Sequence, residues 1–181
     1  MKNREVLARA VEVVAFLFAA FSGFLKGIAP PEEATAGFSI GIASFLTLCV
    51  LLLLSTRVRK KSSTAERRLW VGVAGVLTVV ALAAGLRYFH LREELTFSYP
   101  PDNPKAEYIA GTQYTSKAAA LAGKDLSPSQ IVAQFGGLPN KQLVWSPASM
   151  ARARMILITY YLLFVLSLAG GIFSLAELST G

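Results

Sequence analysis

The sequence has few charged residues for its length. Asp, Glu, Lys and Arg make up 16% of its 181 residues and hydrophobic types 54%, whereas soluble domains carry about 25% charged residues. The high apolar content also excludes a disordered tail, because disordered segments are poor in apolar side chains. The composition therefore predicts a membrane protein.

Cysteine and histidine are each present once, as Cys49 and His90. One cysteine forms neither an intrachain disulfide nor a cysteine-based zinc site, and it excludes membrane thiol oxidoreductases, which need cysteine pairs. One histidine excludes a haem held by two histidines of the same chain. The sequence also lacks a phosphate-binding glycine loop, G-x-S-x-G and H-E-x-x-H. We therefore expect no cofactor, no metal and no enzymatic activity.

Four apolar stretches are long enough, the first of them marginally, for the roughly 20 helical residues that cross a bilayer. They cover residues 10–28, 35–55, 69–86 and 155–176. A basic start and Ala-Thr-Ala at 34–36 would also suit a cleaved signal peptide, but Lys26 and two prolines lie before that site, which favours a retained first span.

The spans predict an all-α membrane protein with four transmembrane helices and a small α+β extracytoplasmic insertion between helices three and four. Residues 1–86 hold helices one to three, with a basic cytoplasmic link at 56–68. Residues 87–153 form the insertion, and residues 154–181 hold the fourth helix and a short cytoplasmic tail. The insertion is too long for a simple loop and short for an independent domain.

The basic link sets the expected orientation. It carries six Lys and Arg residues against Glu66, whereas the opposite link carries Glu32 and Glu33. The positive-inside rule then places both termini in the cytoplasm and residues 87–153 outside the plasma (inner) membrane. Four arginines flank the outer ends of spans three and four, which argues against this orientation. Alanine, arginine and glycine usage is typical of a bacterial protein.

Local signals predict the elements of the insertion. Alternating residues at 94–99 and the segment 141–145 each predict a strand. Thr115 or Ser116 is expected to cap a short helix that ends at Gly123. Ser127, Pro128 and Gln130 predict a capping box and a second helix, which continues through residue 135. A third helix is expected to start after Ser146 and to run unbroken into span four.

Small residues at four-residue spacing recur in the first, second and fourth spans. Such faces let helix backbones approach closely in lipid. One interpretation is assembly between chains. The other, which the frequency of small residues in membrane helices favours, is packing within one four-helix bundle. The candidates are Ala15, Ala19, Gly23, Gly37, Gly41, Ser167 and Gly171.

Basic residues near the span ends are candidates for contact with lipid headgroups or other anions. For the link, a role in topology alone is the favoured explanation, so the basic balance predicts no nucleic-acid partner. His90 lies near Glu93 and Glu94 and suits either an acid–base role or, more simply, an interfacial polar position. The candidates are Arg57, Arg59, Lys60, Lys61, Arg87, His90, Arg92, Arg152 and Arg154.

The insertion has few apolar side chains, and many of them are aromatic. Tyr108, Tyr114 and Trp145 are expected to form its core, and any exposed part of them is a candidate binding face. A core of this size is marginal by itself, so it is expected to rest on the spans, a partner or another copy.

These observations predict a non-enzymatic membrane subunit or accessory protein that assembles through its helices and its outer insertion. Its expected partners are membrane lipids and other membrane chains or copies of itself. The alternative is a self-assembling channel or a membrane-disrupting effector, for example in bacterial defence. A third hypothesis is a lipid-handling membrane enzyme that uses His90 and the neighbouring arginines.

Overall fold

The computed structural model describes residue 19 and residues 23–55, 64–102 and 106–179. Within these residues three helices are long and apolar enough to cross a membrane: Thr35–Leu54, Arg67–Leu95 and Pro147–Ala176. The predicted helices long and apolar enough to span a membrane are confirmed at these three places, whereas the four predicted spans are not confirmed. The first predicted span lies largely outside the described residues, although residues 23–28 at its end are helical.

The described part of the chain is mostly helical and holds one small sheet of two strands. In chain order its elements are α1 (Glu33–Ser55), α2 (Thr64–Leu95), β1 (Thr96–Tyr99), β2 (Ala106–Ile109), α3 (Ser116–Ala122), α4 (Pro128–Gln134), a 3-10 turn (Leu138–Asn140), α5 (Lys141–Val144) and α6 (Pro147–Ser179).

The described residues fall into two compact units. One, the helical unit, contains residue 19 and residues 23–29, 37–55, 64–87 and 160–179. The other, the mixed unit, comprises residues 30–36 and 88–159 and holds both strands and the short helices. The mixed unit therefore includes the turn that precedes α1 as well as most of the predicted insertion.

Glycines allow α2 and α6 to pack closely in the helical unit. A Cβ added at Gly85 would lie 3.0 Å from the ring of Phe164, and one at Gly170 would lie 3.0 Å from Leu77. Close approach of this kind is how membrane helices gain packing energy, since lipid supplies little hydrophobic drive for their association. At another point Trp70 meets Phe173 edge-on, with ring centroids 6.4 Å apart.

The sheet of the mixed unit pairs β1 with β2 in antiparallel register, with Thr96 opposite Ile109 and Tyr99 opposite Ala106. Its first strand is the predicted one, shortened because α2 continues through Leu95. The ring of Phe97 points into the unit's core, 5.2 Å from the ring of Trp145. The core also contains Ala110, Ala118, Ile131, Val132 and Val144.

The predicted strand at 141–145 is wrong. Residues Lys141–Val144 form the short helix α5, and Trp145 makes only an isolated bridge with Tyr114. Val144 and Trp145 are adjacent and both fully buried, whereas successive side chains of a strand with one buried face alternate between core and solvent. The strand that pairs with β1 is β2, which the sequence pattern did not indicate.

The predicted helix starts are confirmed. Thr115 caps α3 by accepting a hydrogen bond from the amide of Ala118. Ser127 and Gln130 form both halves of the capping box of α4, with Pro128 in its first turn. Helix α6 runs without a break from Pro147. Each of these capping signals lies within a few residues of the helix start that it marks, so the local sequence is enough to predict it.

We expect Gly111→Ala to destabilise the mixed unit. A Cβ at this position would lie 2.5 Å from Ser149 Oγ and 2.6 Å from Trp145 Cβ. Overpacking of a core costs about 1–3 kcal/mol in free energy of unfolding. The matched control is Gly123→Ala, whose Cβ meets its nearest atom at 3.7 Å. Thermal unfolding of both variants in a neutral detergent checks this, and equal melting temperatures would contradict it.

Candidate functional site

The turn before α1 presents one acidic side chain, Glu32, to the other elements of the mixed unit. Pro30 is fully buried, and Glu32 adopts a left-handed backbone conformation with φ of 70°. The carbonyl of Glu32 accepts the first hydrogen bond of the helix, from the amide of Ala36 at 2.9 Å. A residue other than glycine in this conformation is strained and persists only where surrounding contacts hold it.

Three groups hold the Glu32 carboxylate. Its Oε1 accepts hydrogen bonds from Lys141 Nζ at 2.5 Å and from the backbone amide of Ile109 at 3.3 Å. Its Oε2 accepts one from Arg154 Nη2 at 3.0 Å. The Glu32 side chain is only 17% exposed. We refer to Glu32, Lys141 and Arg154 as the charge triad.

Each donor of this arrangement comes from a different element. Ile109 ends β2, Lys141 begins α5, and Arg154 lies two turns into α6. The three donors are separated from Glu32 by 77, 109 and 122 positions in the sequence. The carboxylate therefore joins the turn before α1 to three elements that lie far from it along the chain.

Glu32 is ionised in this environment. Burial by itself disfavours the charged carboxylate, but the hydrogen bond and charge of Lys141, the amide of Ile109 and the charge of Arg154 outweigh it. The net result is a pKa of the Glu32 carboxyl below its ordinary value. Charge-assisted hydrogen bonds are about twice as strong as neutral ones, which is consistent with this balance.

A cleft of about 210 Å³ opens beside the charge triad. Its charged side consists of the triad itself. Its other walls are carbon surfaces, contributed by Ile109, Pro147, Met150 and Ala151. At this volume the cleft is smaller than the roughly 300–1,000 Å³ of drug-sized ligand pockets, so it has room only for a ligand of a few heavy atoms.

The basic candidates near the span ends have separate partners. Arg92 pairs with Glu107 at 2.7 Å, and His90 lies 3.2 Å from Glu94. Arg154 belongs to the charge triad, whereas the exposed Arg152 is not among the cleft residues. Arg87 is exposed. The candidates in the link, residues 57, 59, 60 and 61, lie outside the described part of the chain.

The predicted aromatic face largely belongs to the core of the mixed unit. Trp145 is 1% exposed, and the ring of Tyr114 stacks on it at 5.5 Å. Tyr108 packs against Phe97, with ring centroids 6.0 Å apart. Tyr114 is the most exposed of the three at 36%, and its partial burial raises the pKa of its phenol.

The small-residue candidates lie in two kinds of surroundings. Ser167 and Gly171 are buried on α6, and a Cβ at Gly171 would contact Thr78 and Leu77. By contrast, Cβ atoms added at three of the other candidates meet no atom of the described residues within 4 Å. These three are Gly23, Gly37 and Gly41. Ala19 is exposed, and residue 15 lies outside the described residues.

No cluster of three or more potential metal ligands occurs among the described residues. In comparisons with known proteins, no family model, curated protein or solved structure matches this chain. The candidate site is therefore defined by its own geometry.

Glu32 and Lys141 are site residues that the sequence pattern does not indicate. In the sequence, Glu32 marks the outer link, and Lys141 begins a predicted strand. The one local signal at Glu32 is its place after two prolines, which indicates a rigid turn. Only the tertiary structure shows which cations it meets, because every partner is distant in sequence.

We expect Glu32→Gln to destabilise the mixed unit by about 1–3 kcal/mol, because it leaves Lys141 and Arg154 without their counter-charge. The control is Glu107→Gln, which breaks the more exposed pair with Arg92 and is expected to cost less than about 1 kcal/mol. Denaturant unfolding in detergent measures both. A larger loss in Glu107→Gln than in Glu32→Gln would refute the importance of the triad.

The contribution of Glu32 should also depend on pH. Its pKa in the folded protein lies below the ordinary value of 4.5, so its stabilisation is complete above that value and is lost as the pH falls through the folded-state pKa. We expect the difference in unfolding free energy between wild type and Glu32→Gln to be constant near neutral pH and to shrink below about pH 4.5. A difference that grows on acidification would contradict this.

Proposed function

We propose that this chain is an integral membrane subunit that assembles with another membrane-embedded chain, or with a copy of itself, through the glycine face of α1. We define this face by Gly37, Gly41 and Phe45, which follow one another at four-residue spacing. The observation that carries the proposal is the open space at its two glycines, where an added Cβ meets no described atom within 4 Å.

The opposite side of α1 is already packed. Ser39, Ala43, Thr47 and Leu51 are all fully buried and also recur every four residues, two positions out of step with the glycine face. Two positions correspond to about 200° around a helix, so the two rows lie on opposite sides. One side of α1 is therefore packed within the chain, and on the other side the residues that the structure describes leave space for an additional helix.

The glycine face has the surface shape of a helix-packing site, with large side chains beside glycines. Phe38 is 58% exposed and Phe45 is 64% exposed, so large rings stand beside the shallow positions of Gly37 and Gly41. Close contact in lipid depends on such shallow positions, where a second backbone can approach. The packed glycines of α2 and α6, Gly85 and Gly170, illustrate the same use of small residues within this chain.

The proposal includes the finer topology that the sequence suggests. The mixed unit contains as many Lys and Arg residues as Asp and Glu residues, so the net charge of +7 belongs to the rest of the chain and mainly to the link at 56–68. This asymmetry supports an orientation with cytoplasmic termini and link and with the mixed unit outside.

We expect Gly41→Leu to weaken assembly, because the new side chain fills the surface on which a partner helix would rest. Native mass spectrometry or chemical cross-linking after gentle extraction from the host membrane measures the assembled fraction. It also separates a complex with a different chain from a ring of identical copies, which would favour the channel alternative.

The matched control is Gly75→Leu on α2, another position with no described atom within 4 Å of an added Cβ. It adds the same bulk to a membrane helix away from the glycine face and should leave the assembled fraction unchanged. If the Gly41 variant assembles as well as wild type, the glycine face is not the interface. The same conclusion holds if only the Gly75 variant loses its partners.

A further inference from the structure

We propose that the cleft beside the charge triad binds a small organic monocarboxylate, with its carboxylate on Arg154 and Lys141 and its short apolar body against the carbon walls. This inference is independent of the assembly proposed for α1. It rests on the charge balance of the triad, on its unused hydrogen-bond donors and on the lining of the cleft.

Within the charge triad, one positive charge has no counter-charge. Two cations share the single carboxylate of Glu32, whose lowered pKa keeps it ionised at neutral pH. The side chains of Lys141 and Arg154 are 26% and 48% exposed, so they are partly withdrawn from water. A monoanion would neutralise the cleft, whereas a second cation would add to its surplus.

Both cations keep donors for such an anion. An ammonium group has three N–H donors and a guanidinium has five. Within the charge triad, Lys141 donates one hydrogen bond and Arg154 donates one, each to a different oxygen of Glu32. Glu32 therefore fixes the two cations in place and leaves donors for a second carboxylate.

The walls select for a ligand with an apolar body. Ile109, Pro147, Met150 and Ala151 contribute carbon surface to a space of about 210 Å³. Since a water molecule takes about 30 Å³ in the liquid, this space suits a ligand of only a few heavy atoms. A phosphate dianion fits less well, because it has no apolar part and its second charge would be repelled by Glu32.

The decisive experiment titrates butyrate into the full-length protein in a maltoside detergent and follows binding by saturation-transfer NMR. Butyrate should bind saturably, while butyramide, which has the same shape without the charge, should bind at least about tenfold more weakly. Arg154→Gln and, as an independent variant, Lys141→Gln should each lower the butyrate affinity about tenfold or more, as expected for a lost charge-assisted hydrogen bond.

The control is Arg152→Gln, which removes an exposed cation from the same helix outside the cleft and should leave the affinity unchanged. Thermal melting of each variant establishes that the fold is retained. Absence of saturable butyrate binding to the wild type would overturn the proposal. So would equal losses in Arg152→Gln and Arg154→Gln, or inorganic phosphate binding as tightly as butyrate, because each indicates attraction to surface charge only.

Discussion

The carboxylate of Glu32 is the contact on which the arrangement of the mixed unit depends. It brings the turn before α1 together with the end of β2, the start of α5 and α6, through three hydrogen bonds. A single ion pair on a protein surface contributes little to stability. This carboxylate is different because it is largely buried, because it meets two cations and a backbone amide, and because it lies on a strained residue that needs external support.

The same contact adds an electrostatic constraint to the small apolar core of the mixed unit. Its buried cluster holds seven residues around Trp145 and Phe97, and no disulfide is available because the chain has one cysteine. Cores of this size usually need an additional constraint. Here the constraint is the charge triad. The triad also forms one side of the cleft, where its two cations face carbon walls.

Glycine serves two purposes in the helical unit. At Gly85 and Gly170 it admits the side chains of a neighbouring helix, whereas at Gly37 and Gly41 it leaves a shallow surface without a described neighbour. Spacing alone does not separate the two cases, because four-residue intervals occur in both. The distinction depends on which face of each helix the rest of the chain already covers, and that is a property of the packed structure.

The sequence by itself determined three helices long and apolar enough to cross a membrane and the caps at Thr115 and Ser127, since apolar runs and capping residues are contiguous stretches of the chain. It misassigned residues 141–145, where the burial of Val144 and Trp145 in the tertiary core decides for a helix over a strand. It also could not reveal the charge triad. Ion pairs across 109 and 122 positions leave no local pattern, so only the folded chain determines which charges meet.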